Sequence, residues 1–380
     1  MTTTQFSAET MNERLAEFVK RTDLGPDIQA REPISQTTVR QLTDVLGDRN
    51  PVYTDPEFAA RSIHGELVVP PTALQVFSLP GLAPKPGRHL IDPDGTRRFV
   101  LAPGGHKIPG DRPEKVMLDE LHELLEGEGY TSPAVTNGWY EYRRYLRPGD
   151  HLSFSAPSVE EFFGPKRTAL GEGYFITISQ DVKDQTGDVV GVMRHRFIRF
   201  KPRTGGNNGA GESAELPSSF PWKEPIEELG DRTIAPEPTW ETLRFDQVAV
   251  GDELPKLVIE LTPTLIIATA IATQDYQDVH HDRDMVQRRG HPDVFMNILT
   301  TTGFAGRFIT DWAGPEALIQ AAGIRLGVPN YPYGEMTISG RVTEREEQPT
   351  GDRGTLTVEV RGVNKLGTHL DGQLTLTLPR

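Results

Sequence analysis

The chain contains no cysteine. Disulfides, thiolate metal sites and a cysteine nucleophile are therefore excluded together. No run approaches the roughly 18 consecutive apolar residues of a membrane helix, and the opening Met1-Thr-Thr-Thr-Gln-Phe6 has neither the basic nor the apolar region of a secretory leader. The expectation is a cytoplasmic protein. Positive charge is also scarce: 40 Lys and Arg face 54 Asp and Glu, a net charge of -14. Nucleic-acid binding needs a basic patch that neutralises phosphates, and the basic runs here, Arg97-Arg98, Arg143-Arg144 and Arg288-Arg289, are only pairs. Pairs of this kind suit at most the phosphates of a nucleotide-bearing substrate.

A length of 380 residues is long for one core, and domains of roughly 100 to 200 residues make two the natural expectation. The clearest linker is Thr204-Gly-Gly-Asn-Asn-Gly-Ala-Gly-Glu212, followed by proline-rich sequence to Pro238. These glycines do not read as a phosphate loop, because no apolar helix follows them. The resulting division is an N-terminal domain over 1–203, a linker over 204–238 and a C-terminal domain over 239–380.

Both domains read as the same order of elements. In the first, after a short amphipathic helix over 8–21, a helix starting near Ser35 or Thr37 carries Val39, Leu42 and Leu46 and stops at Gly47. A loop over 48–55 follows, and Pro70-Pro71 opens a helix through Ala73, Leu74, Val76 and Phe77. Residues 80–110 are rich in Gly and Pro and read as an irregular insertion over a cleft. Alternating runs between Trp139 and Pro202 read as antiparallel strands.

In the second domain a strand over 258–261 leads to Thr262-Pro263, a helix cap and first residue ahead of Leu265, Ile266, Ile267 and Ala270. A loop over 275–282, a longer helix over 293–311 and three alternating runs, over 333–344, 355–364 and 369–378, complete it. Sliding one half by 227 residues superposes Asp48 on Asp275, Tyr53 on His280, Asp55 on Asp282 and Arg61 on Arg288. The expected fold class is α+β, a pseudo-repeat in which each half is a helix wrapped by an antiparallel sheet, the two sheets joining side by side.

The chemistry concentrates in the second loop. Asp275 and His280 stand five residues apart where the chain leaves a short helix, a spacing that can hold one water between two proton-transfer groups. Hydration of an α,β-unsaturated thioester needs a water at Cβ, a base for it, an acid for Cα and donors for the enolate-like oxygen. Backbone amides at the start of the longer helix, at Met296 and Asn297, are the candidate donors for that oxygen. Asp48 and Tyr53, their half lacking the histidine, are candidates for substrate binding. The same residue types also serve as ordinary loop caps, and Asp55 and Asp282 are read as caps of the short helices that follow them. A metal set of His280, His281 and Asp282 is disfavoured, since adjacent side chains point apart and no second cluster adds ligands.

The stretch Gly47-Asp-Arg-Asn-Pro-Val-Tyr-Thr-Asp55 closely resembles the Gly-Asp-x-Asn-Pro-x-His-x-Asp signature of MaoC-like, or hydratase-2, enoyl-CoA hydratases, with Tyr53 replacing the histidine. The resemblance puts the family's aspartate on Asp275 and its histidine on His280, while Gln277-Asp278 departs from the family's Asn-Pro. The likeness is closer to the MaoC-like hydratases of actinobacterial steroid side-chain degradation, which pair a catalytic and a non-catalytic hot-dog subunit. Gln277-Asp-Val-His-His-Asp282, Gly290-His-Pro-Asp-Val-Phe-Met-Asn-Ile298, Thr310-Asp-Trp-Ala-Gly-Pro315 and Arg325-Leu-Gly-Val-Pro329 are similar to the catalytic subunit. Asn50-Pro-Val-Tyr53, Val69-Pro-Pro71 and the strands up to Phe200 are similar to its partner.

The resemblance implies a double hot dog, a fusion of the two subunits, in which the half without the histidine makes room for a bulky acyl group. It implies a hydro-lyase acting on a 2-enoyl-CoA, with CoA as part of the substrate and no further cofactor. Acyl-CoA is the expected ligand, neither nucleic acid nor membrane is an expected partner, and a homodimer and a downstream aldolase are the candidate protein partners. Some relatives carry a zinc-ribbon and OB extension tied to aldol cleavage, against which the lack of cysteine argues. A short-chain enoyl-CoA hydratase or 3-hydroxyacyl dehydratase of the same fold, a thioesterase, and a non-catalytic acyl-CoA-binding or scaffold protein are the alternatives. The acyl group, the stereochemistry and the oligomeric state are left open.

Overall fold

In the computed structural model the described residues are 8–82, 88–101, 117–168, 171–202, 240–347 and 351–380. The linker expected over 204–238 lies outside them. The strands are β1 (Ile28–Gln29), β2 (Arg88–Ile91), β3 (Arg97–Val100), β4 (Ser132–Tyr142), β5 (Ser153–Phe154), β6 (Ser158–Arg167), β7 (Gly171–Lys183), β8 (Val189–Pro202), β9 (Glu253–Leu261), β10 (Leu318–Leu326), β11 (Gly334–Glu347), β12 (Arg353–Asn364) and β13 (Gly367–Pro379). Eleven of them form one sheet in the order β1-β5-β7-β8-β4-β10-β13-β12-β11-β9, with β6 also paired to β7. The halves are therefore joined edge to edge by antiparallel pairing of β4 with β10, Glu141 opposite Ala321 and Asn137 opposite Arg325. β2 and β3 pair as a separate hairpin inside the segment expected to be irregular.

In the C-terminal half, period-two alternation sets the inner face. Along β12, Leu356, Val358 and Val360 are buried while Glu359 and Arg361 are exposed. Across that face lies one long helix, Ile298–Ala313, whose Phe304, Phe308 and Ile309 are buried. Its ring packing demands a glycine opposite: a Cβ on Gly340 would come within 2.7 Å of the Phe308 ring. The same core takes in Leu42, Leu46, Leu74, Tyr140 and Tyr142 from the N-terminal half. Each such side chain contributes roughly 1.5–3 kcal/mol on burial, so the two halves are bound by a shared core as well as by β4 and β10.

The N-terminal half covers its sheet differently. The helix expected to open at Pro70-Pro71 is a 3-10 helix, Pro71–Ser78, of 8 residues against the 16 of its counterpart. Two prolines fix φ and remove donors, and Pro70 supplies no side-chain cap. The rest of the inner face is covered by two α-helices, Ala8–Lys20 and Met117–Gly127, the second not anticipated from the sequence. Their Met11, Leu15, Leu121 and Leu125 pack on Tyr174, Ile176 and Ile178 of β7.

Candidate active site

The candidate catalytic loop is built from helix ends. Thr262 caps the helix Pro263–Ala272, its hydroxyl accepting the Leu265 N–H at 3.0 Å, as its sequence indicates. At the other end Gln274 takes a left-handed φ of 57°, and the Asp275 N–H returns to the Ala270 carbonyl at 2.9 Å. This tight reversal aims the Asp275 carboxylate off the helix end. A 3-10 turn, Asp278–His280, then brings His280 back over it.

Asp275 and His280 are both buried, with His280 Nε2 3.3 Å from Asp275 Oδ2. His280 Nδ1 lies 2.7 Å from the Phe295 carbonyl. A carbonyl only accepts, so Nδ1 carries the proton and donates to it, which leaves the Nε2 lone pair of neutral imidazole facing the carboxylate. Two acceptors that converge in this way fit one water donating to both. Asp275 is further held by the Gln277 N–H at 3.4 Å to Oδ1 and the Asn297 side-chain amide at 3.2 Å to Oδ2. Burial pushes this carboxyl up, while the Gln277 N–H and the Asn297 side-chain amide work against that by donating to it.

Asn297 was expected to act through its backbone, and its side chain is the residue that sequence reasoning missed. Its Oδ1 caps the helix Ile298–Ala313 by accepting the Thr300 N–H at 2.8 Å, while Nδ2 donates to Thr273 Oγ1 at 2.9 Å and to Asp275. An asparagine just before a helical run is a legible cap signal, but its reach to a carboxylate 22 residues earlier is not. The Met296 expectation needs correction. Its N–H is already donated to the Asn330 carbonyl at 3.0 Å, so it is not available to an oxyanion. The Asn297 N–H has no such partner among the described residues.

The same frame recurs in the other half with the chemistry removed. Val68 N–H bonds the Val52 carbonyl as Phe295 N–H bonds that of Val279, and Val69 N–H bonds the Leu146 carbonyl as Met296 N–H bonds that of Asn330. Tyr53 occupies the His280 position and Pro70 the Asn297 position. Asp48 receives the Asn50 N–H at 3.0 Å but no imidazole, and burial, with Asp311 adding to it, pushes its carboxyl up to about 6. Tyr53 is buried against Val52, Val68, Phe58 and Tyr145, and burial raises its hydroxyl far above the ordinary range. These two residues do not join the catalytic pair. They lie near Asp311, toward the far end of the helix that begins at Asn297, roughly 20 Å away at 1.5 Å per residue.

The bland expectations for the remaining residues hold. Asp55 accepts the Glu57 and Phe58 N–H groups and Asp282 that of Met285, as helix caps. His281 turns away from His280, with Nε2 on the Tyr276 carbonyl at 3.2 Å.

A family model described as FAS1-like, dehydratase domain region, matches residues 27–97. The chain is similar to the 3-oxo-4,17-pregnadiene-20-carboxyl-CoA hydratase beta subunit of Mycobacterium tuberculosis, 49% identical over 129 residues, which are 34% of this chain and 95% of that subunit. It is also similar to a probable enoyl-CoA hydratase alpha subunit of Thermomonospora curvata, 34% identical over 197 residues, 52% of this chain and 54% of that subunit. Of this second relative the chain thus spans about half the length. Likeness to both kinds of subunit in one chain is what a fusion of the two produces. A solved MaoC-like dehydratase superposes with a TM-score of 0.62 over 94% of this chain and 98% of its own, at 18% identity, and shows the fold. With both halves built on one hot-dog frame and a subunit-length relative at 49% identity, this chain belongs to the MaoC-like hot-dog family of hydratases and dehydratases.

Proposed function

We propose that the chain is a hydro-lyase that adds water across the double bond of a 2-enoyl-CoA, with a bulky steroid side-chain acyl group as substrate. The observation that carries this reading is the convergence of His280 Nε2 and Asp275 Oδ2, two buried acceptors 3.3 Å apart, at the N-terminus of a long helix. A water donating to both has its oxygen lone pairs free to attack Cβ. One of the pair takes the proton lost by that water, and the pair returns a proton to Cα. The thioester oxygen, on which charge builds, is met by the Asn297 N–H and the positive end of the helix dipole. This chemistry calls for no cofactor beyond the CoA of the substrate.

The size of the acyl group is supported by the N-terminal half. Where the catalytic half carries 16 helical residues, that half carries 8 in a 3-10 helix, a cover shorter by roughly 8 Å. The chain leaving this short helix reaches the rim of the site: a Cβ on Gly81, at φ 57°, would stand 2.8 Å from Gln274 Oε1, next to Asp275. The half without a histidine thus serves as a wall, with the helices Ala8–Lys20 and Met117–Gly127 covering the sheet beyond the short one. The name of the Mycobacterium tuberculosis subunit, a 3-oxo-4,17-pregnadiene-20-carboxyl-CoA hydratase, points to the same substrate class. A cytoplasmic location, a homodimer and a docked aldolase, which would cleave the β-hydroxy product, belong to the same reading.

Turnover of a steroid side-chain enoyl-CoA beside crotonyl-CoA, following the gain of one water by mass, tests it. Hydration of the bulky substrate, lost in Asp275→Asn and His280→Ala, supports the reading. Faster turnover of crotonyl-CoA turns the assignment to a short-chain hydratase, free CoA release to a thioesterase, and binding without turnover to a scaffold.

A further inference from the structure

A buried histidine outside the catalytic pair is tied to the site by a closed ring of hydrogen bonds. His369, on β13, is 2% exposed. Its Nδ1 lies 2.7 Å from the Val328 carbonyl and its Nε2 2.9 Å from Thr301 Oγ1. The carbonyl requires the proton on Nδ1, so Nε2 accepts from the Thr301 hydroxyl. Burial pushes the imidazole down to about 4, which keeps this single-proton arrangement over the neutral range.

Each end of this link leads to the catalytic residues. Thr301 lies in the first turn of the helix Ile298–Ala313, and its N–H bonds the Asn297 carbonyl at 3.2 Å. Asn297 in turn holds Asp275 Oδ2. On the other side, Val328 begins the loop to Asn330, whose carbonyl takes the Met296 N–H and whose side-chain oxygen takes Asn364 Nδ2 at 2.7 Å. Thr301, Asn297 and Asn330 are all buried. The ring closes from His369 through Thr301, Asn297, Met296, Asn330 and Val328.

We infer that His369 and Thr301 act as positioning residues, a neutral splint that sets the first turn of the helix and, through Asn297, the carboxylate of Asp275. Apolar burial is non-directional, and the shape fit of Phe308 over Gly340 lies about two turns beyond Thr301. Hydrogen bonds have direction, so one buried bond from the strand fixes the first turn where the amide and carboxamide of Asn297 must be placed.

The inference rests on the hydratase reading, and its test separates the two. Thr301→Val keeps the shape and removes the hydroxyl. It is expected to lower kcat about tenfold, the worth of one hydrogen bond, with KM within about twofold and the melting midpoint down by a few degrees, because the buried His369 Nε2 loses its partner. Thr301→Ser is expected to stay within about twofold of wild type. Adding Thr301→Val to Asn297→Ala is expected to cost no more than about a further factor of two, because both act through the same carboxylate. Unchanged kcat in Thr301→Val, or losses that multiply in the double variant, would overturn the inference. If wild type itself fails to hydrate, the hydratase reading falls. The splint is then judged by NMR: an Asn297 side-chain amide resonance that moves in Thr301→Val but not in Thr301→Ser upholds it, and the same resonance position in wild type and both variants removes it.

Discussion

The side-chain amide of Asn297 donates to Asp275 Oδ2 at 3.2 Å while its oxygen caps the long helix, so the carboxylate proposed for catalysis and the helix N-terminus are held by one residue. The proton-transfer group and the oxyanion donor thereby keep a fixed separation. Replacing Asn297 by Ala removes both of these bonds and the one to Thr273 Oγ1. The expected outcome is a loss of about 1–2 kcal/mol of stability in chemical unfolding, the usual worth of such a cap, with kcat down at least about tenfold.

The two side chains proposed for catalysis carry comparable losses. Asp275→Asn and His280→Ala are each expected to lower kcat by about 10²- to 10⁴-fold, the range of general acid–base catalysis. Retained acyl-CoA binding, measured by calorimetry, separates lost chemistry from lost folding.

Restoring the histidine to the other half is not expected to restore a site. Tyr53→His in an Asp275→Asn background should remain inactive, because Pro70 offers no carboxamide to Asp48 and that carboxyl stays protonated up to about 6. Activity in that variant would show that the imidazole alone was missing.

Stability should fall on acidification below neutrality. His195 and His369 are both pushed down by burial to about 4 from 6.5. Between those values the unfolded chain binds more protons, so their contribution is complete above pH 6.5 and is lost as the pH falls toward 4. Asp48, raised from 3.8 to about 6, acts oppositely, its buried charge costing stability as the pH rises through 6. Two histidines outweigh one carboxyl, and the net loss from pH 6.5 to 4 is on the order of 3 kcal/mol. Asp48→Asn should be more stable than wild type by about 1–2 kcal/mol at pH 8, with the gain gone near pH 4, as read from urea midpoints.

Local signals carried far in this chain. The caps at Ser35, Thr262 and Asp282, and the left-handed Gly47, are where short-range sequence placed them. Met117–Gly127 was missed although its signal is present, since Met117, Leu121 and Leu125 recur every fourth residue and all are buried. β10 was harder: Ala321-Ala-Gly323 blunts its alternation, because a strand paired on both sides meets β4 and β13 across residues too small to mark a face.

The placing of Asp275 and His280 on one loop, the repeat at 227 residues and the loss of the histidine from the first copy were all present in residue order, because turns, caps and spacing act over a few bonds. Tertiary structure alone decided that Met296 spends its N–H on Asn330, that Asn297 reaches Asp275, and that Asp48 and Tyr53 stand at the far end of the helix. It also decided that the halves share one sheet and one core. Those outcomes depend on which backbone groups find partners across tens of residues, and no local propensity encodes that choice.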